Sequence, residues 1–172
     1  MGLDVVVEDP RWEELELEPL GLRAWRAVED HLALPEGLDL VLMGCDDARI
    51  AQLNGDFRAK PAPTNILSWP SDERGASAPG ATPPLPARAA ELGDMAIAYE
   101  TTLREAETGG IPPDHHITHL IVHGTLHLLG YDHVDDRDGD LMESVEAAIL
   151  ATLGIPDPYG GDGPGSDSDG KD

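Results

Sequence analysis

The sequence has one cysteine in 172 residues, Cys45, so no disulfide framework can form within the chain. A buried, inert thiol is the default reading of such a residue. Lysine is almost as scarce, with Lys60 and Lys171 alone. Together with arginine they make 11 basic residues against 34 acidic ones, a formal net charge of -23. That balance is the reverse of the basic footprint of most nucleic-acid binders. Contact with a polyanion therefore has to come from a local patch, helped by a bound metal. The acidity itself fits a salt-rich interior or a demand for solubility. No apolar run approaches the ~18 residues of a membrane span. The opening MGLDVVVEDP lacks the basic and apolar regions of a signal peptide. A cytoplasmic protein is expected, with no internal repeat and no second domain.

What the sequence does have is a concentration of histidine. The stretch HGTLHLLGYDH, residues 123–133, places His123 and His127 four apart. On a helix this spacing puts both rings on one face, roughly 6 Å from each other. Gly130 follows a Leu-Leu pair, where a glycine in the left-handed conformation can end the helix. His133 lies just past that turn and can swing back toward the other two. Three neutral imidazoles around one divalent ion, with a fourth position open, make a catalytic zinc arrangement. The pattern is the long zincin motif with one change: Gly124 stands where the metallopeptidases carry their general base, a glutamate. The metal cage is kept and the peptidase base is absent.

His116 and His119 fall in the same helical stripe. His119 and His127 are two turns apart, about 12 Å by helix rise, too far to share an ion. The glycine turn favours His123 with His127, leaving His116 and His119 to line the cleft or stand behind the ligands. His115 and His31 read as ordinary surface histidines.

Along the chain, strands are expected at 3–7, 38–43, 64–69 and 92–99. Helices are expected at 20–32, 47–55, 100–108, 115–129 and 140–154. In the first helix Leu22, Trp25, Val28 and Leu32 make the apolar stripe. Asp46 or Asp47 caps the second, with Ile50 and Leu53 inward. Asp114 caps the histidine helix, and Leu141, Val145, Ile149 and Leu153 face inward on the last one. Residues 71–91, rich in Pro, Ala and Gly, read as a mobile loop, and 135–140 as an acidic connector. The tail 155–172 is low-complexity and reads as disordered. These expectations describe a single α+β domain over 1–154, with a small four-stranded mixed sheet packed against several helices. The metal-binding helix is central, because one face is apolar and another lines a cleft.

Three blocks, in order, resemble the YbeY-type bacterial endoribonucleases that mature 16S rRNA: FRAKPAPTNILSWP (57–70), LGDMAI (92–97) and HGTLHLLGYDH (123–133). The resemblance implies one zinc ion per chain held by His123, His127 and His133, with Arg58 facing the metal as a catalytic residue. It also implies cleavage of single-stranded RNA, maturation of the small-subunit rRNA 3′ end, and ribosome quality control, with the small subunit or its proteins as partners. The general base is open among zinc-bound hydroxide, a 2′-hydroxyl and Asp132, which equally reads as a ligand-orienting group or a plain turn residue. Two alternatives share the cage: a non-catalytic ribosome-assembly factor with a structural metal, and a zincin-like metallopeptidase.

Overall fold

A computed structural model describes residues 2–58 and 64–159, apart from 73, 77 and 88, and only the backbone of 56–58. Its elements are β1 (Gly2–Val7), α1 (Arg11–Glu14), α2 (Leu17–Leu32), β2 (Asp39–Cys45), α3 (Asp47–Arg58), β3 (Ile66–Pro70), β4 (Glu91–Ala98), α4 (Tyr99–Gly109), α5 (Pro113–Leu128) and α6 (Asp136–Thr152). The four strands form one sheet in the order β1-β2-β4-β3. β1, β2 and β4 run parallel, and β3 pairs antiparallel with β4. This is the expected α+β domain with a mixed sheet and a central histidine helix.

Strand β4 shows why the sheet is covered on both faces. Side chains alternate across a strand. Met95 and Ile97 join the main core with α2, α5 and α6, while Ala96 and Ala98 join a smaller cluster with Cys45, Ile50 and Leu67. Leu53 packs against that second cluster, so α3 turns inward as its apolar residues predict. Asp46 caps α3 by accepting the Arg49 amide proton at 2.8 Å. Cys45 is a free, buried thiol, and its burial, first among the causes, pushes its pKa up to about 12.

Helix α5 is the centre of the molecule. It packs against α2, α4, α6, β3 and β4. Its contact with the sheet passes through Gly124. A Cβ there would lie 2.8 Å from Met95 Sδ, 3.0 Å from Ile66 Cδ1 and 3.1 Å from Ser68 Oγ. The Ser68 hydroxyl donates to the Gly124 carbonyl at 3.2 Å, so strand and helix backbone meet closely at this point.

Several boundaries differ from the sequence reading, each for a physical reason. Helix α5 starts at Pro113 behind Pro112, not behind Asp114. Proline's fixed φ suits the first helical position, and Asp114 places its charge in the first turn, where the helix dipole favours it. Helix α6 starts at Asp136, inside the expected connector, because Asp135 caps it by accepting the Arg137 amide proton at 2.8 Å. Gly139 is a buried contact in that first turn rather than a break: its Cβ position faces His133 Cβ at 3.5 Å. Its apolar face carries Met142, Ile149 and Leu150, with Leu141 and Val145 partly buried beside them, and Leu153 is only half-buried near the C-terminus. In α2 the buried stripe is Leu17, Leu20, Ala24, Trp25 and Val28, which turns Leu22 out to 37% exposure. The acidic stretch 10–18 contains α1, whose Trp12 is buried and donates its indole N–H to the Cys45 carbonyl at 2.9 Å.

The long segment before β4 has no regular element among its described residues, yet it is tied down. The Arg74 guanidinium donates to the carbonyls of Glu91 at 2.9 Å, Leu92 at 3.2 Å and Leu128 at 3.3 Å. It thereby joins the start of β4 to the C-terminus of α5. Gly130 follows with φ 107°, and a Cβ there would stand 2.2 Å from the Arg74 carbonyl oxygen. Glycine is required at this turn by both conformation and space. Further on, the Gly80 amide donates to Asp138 Oδ1 at 2.7 Å, and Ala89 and Ala90 pair with Glu36 and Asp39.

Two substitutions test this packing. Arg74→Ala takes the charged donor from the carbonyls of Glu91, Leu92 and Leu128, and urea denaturation should show a loss of about 1–2 kcal/mol. Gly124→Glu drives an unpaired carboxylate into the α5–sheet contact, and the same measurement should show at least ~3 kcal/mol of destabilisation.

Candidate metal centre

His123 and His127 lie in the last turns of α5, and His133 follows the Gly130 turn, against the start of α6. The ring centroids are 4.7 Å apart for His123–His127, 5.1 Å for His127–His133 and 5.6 Å for His123–His133. Each residue offers one ring nitrogen, and the three nitrogens all fall within 4.8 Å of one another. The sequence motif is thus brought together in space. His123 and His127 are half-buried, and His133 is exposed, which leaves the centre open on one side.

The hydrogen bonds behind these rings decide which nitrogens face inward. His127 Nδ1 lies 3.0 Å from the Tyr131 carbonyl oxygen, which can only accept, so Nδ1 carries the proton. His123 Nδ1 lies 2.6 Å from Glu146 Oε2 and donates to that carboxylate. Both Nε2 atoms then present lone pairs, and they face each other at 3.2 Å. Two such nitrogens at that distance are held together by a shared proton or by a metal ion between them. Two nitrogens each about 2.1 Å from a tetrahedral ion stand about 3.4 Å apart. The donor set, its tautomers and its spacing therefore fit one transition-metal ion, which His123, His127 and His133 could hold. Burial, helped by His123 and His133, lowers the His127 pKa to about 4, so the ring stays neutral, the form that ligates.

Glu146 is the group that sequence reasoning missed. It sits on the apolar stripe of α6 between Met142 and Ile149 and is fully buried. An acid placed four residues after Met142 on an otherwise apolar face was the available signal. Burial pushes its pKa up, but the hydrogen bonds and charge of His119 and His123 more than offset that and hold it at about 2. Its other oxygen, Oε1, accepts from His119 Nε2 at 3.0 Å. His119 thus stands behind the triad and shares a carboxylate with His123. His116 belongs elsewhere, bonded through Nε2 to Glu105 Oε1 at 2.9 Å, between α5 and α4. His31 is exposed on α2.

Asp132 is exposed, and its Oδ1 accepts the amide proton of His133 at 2.7 Å, the contact of a turn residue. Arg58 closes α3, and its side chain lies outside the described residues, as do residues 59–63 of the block that contains it. Gly124 points into the sheet, so the helix position that holds the base in metallopeptidases is turned away from the triad and has no room for a side chain.

The model of a family described as Endoribonuclease YbeY matches residues 7–154. The Endoribonuclease YbeY of Cereibacter sphaeroides is 58% identical over 163 residues, covering 91% of this chain and 98% of that protein. That of Paracoccus denitrificans is 57% identical over 157 residues, covering 91% of this chain and 89% of its own. The solution structure of TM1509 from Thermotoga maritima matches with a TM-score of 0.54 at 17% identity, covering 95% of this chain and 98% of that one. That likeness shows a shared fold. The matched span contains the three histidines, their glycine turn and Glu146, and the chain belongs to the Endoribonuclease YbeY family.

Proposed function

We propose that this protein is a zinc-dependent endoribonuclease that cuts single-stranded RNA. Its role would be maturation of the small-subunit rRNA 3′ end and ribosome quality control in the cytoplasm. The observation that carries the reading is the convergence of the His123, His127 and His133 ring nitrogens to within 4.8 Å of one another, in a chain of this family. No described helix is long and apolar enough to cross a membrane.

RNA cleavage needs a nucleophile, stabilisation of charge on the phosphate and protonation of the leaving oxygen. When bound, zinc supplies Lewis-acid stabilisation of charge on a phosphate oxygen. The chain's own residues supply the frame. Glu146 and the Tyr131 carbonyl fix the rings of His123 and His127, so the ligands need no reorganisation when substrate arrives. Arg58 is assigned the phosphate, which its planar fork grips in two places where a lysine offers a point charge. The net charge of -23 works against free RNA, which favours a substrate presented by the small subunit or its proteins over scavenging of RNA from solution. The buried face of Gly124 speaks against the peptidase alternative.

The test is cleavage of a single-stranded rRNA 3′-end substrate by the purified chain, with metal content read on each sample. Wild type should cleave, while chelated protein and His127→Ala should not. Arg58→Ala should keep about one zinc ion and cleave about 10²–10³-fold more slowly, the usual loss for a charge-stabilising donor. A folded wild type that carries zinc and leaves RNA intact, alone and on small subunits, would overturn the nuclease reading in favour of an assembly factor.

A further inference from the structure

Beyond the end of α6 the chain folds back onto the metal centre. Gly154, with φ 76°, reverses the direction, and the Ile155 amide donates to the Leu150 carbonyl at 3.0 Å. Ile155 packs against the main core. Asp157 Oδ1 accepts the Tyr159 amide proton at 2.8 Å and sets a turn. The Tyr159 ring then stands edge-on to His119, with centroids 5.5 Å apart. Its hydroxyl donates to Glu146 Oε1 and lies 3.2 Å from His119 Nε2. Residues 155–159 lie outside the span that the family model matches, 7–154, and inside the tail expected to be disordered.

This contact completes the surroundings of a buried carboxylate. Oε2 of Glu146 takes one donor, His123 Nδ1. Oε1 takes two, His119 Nε2 and the Tyr159 hydroxyl. A carboxylate with both oxygens engaged cannot rotate, and its rotation angle sets the angle of the His123 ring. Burial, with the Glu146 charge beside it, raises the Tyr159 pKa, so the hydroxyl stays a donor. We propose that Tyr159 is a positioning residue for the metal centre, acting on His123 through Glu146, and that the segment 155–159 is its clasp. The inference rests on the reading of the histidine triad as a metal site.

The test is Co2+ binding by the full chain in competition with a chelator, with the visible d–d spectrum of the bound ion as a second readout. Four proteins are compared: wild type, Tyr159→Phe, Glu146→Gln and the double variant, each with its thermal unfolding curve. Tyr159→Phe keeps the ring and removes the hydroxyl, so it should unfold as a wild-type fold does. It should bind Co2+ roughly fivefold more weakly, below the ~10–100-fold typical of groups that touch a ligand directly, and shift the d–d bands. In the Glu146→Gln background the same change should have no further effect. Unchanged affinity and spectrum in Tyr159→Phe would overturn the proposal, as would an equal loss in both backgrounds. A wild type that takes up no Co2+ would overturn the metal reading itself, and the clasp with it.

Discussion

One helix has to be both the centre of the core and the wall of the site, and α5 meets these demands on different faces. Toward the sheet it presents Gly124, so close to Ser68, Ile66 and Met95 that no side chain fits. Its other core positions include Ile117, Leu120, Ile121 and Leu128, all buried. What remains is the stripe with His119, His123 and His127. The glycine at 124 therefore does two things at once. It lets the helix backbone approach the sheet, and it leaves the position of the metallopeptidase base without a side chain.

The histidines are held by groups chosen for protonation as much as for position. A carbonyl behind His127 and a buried carboxylate behind His123 send both Nδ1 protons outward and both lone pairs inward. A fully buried carboxylate is expensive unless every lone pair is used. Glu146 takes three donors, two from α5 and one from the C-terminal segment, which couples α5, α6 and residues 155–159 around one charge. The cost of burying Glu146 is thus recovered only when the site is assembled.

Much of this was legible in the sequence. The i, i+4 histidines, the glycine at φ 107° and the third histidine beyond it stand where the spacing predicts, and all four strands fall within two residues of expectation. The order of the strands was not legible, because β3 reaches β4 by a hairpin-like return across a long segment whose turn chemistry is weak. Nothing in a Pro- and Ala-rich stretch announces that Arg74 will donate to the last carbonyl of a distant helix. Glu146 was visible as an acid on an apolar stripe, but its partner lies 23 residues away on another helix. Leu20 and Leu22 point to opposite sides of α2, and it is Leu20 that joins the buried stripe with Leu17 and Ala24. The role of Arg58 rests on resemblance, and its side chain lies outside the described residues.

The central claim is that three imidazoles of this chain hold one ion. His133 is its weakest member, exposed and carried by a turn rather than by a helix. The most direct measurement is X-ray absorption on the zinc-loaded chain beside His133→Ala. Wild type should show three imidazole nitrogens at about 2.0–2.1 Å, and the variant two. A wild-type shell with two imidazoles or fewer, or one that His133→Ala leaves unchanged, would contradict the claim.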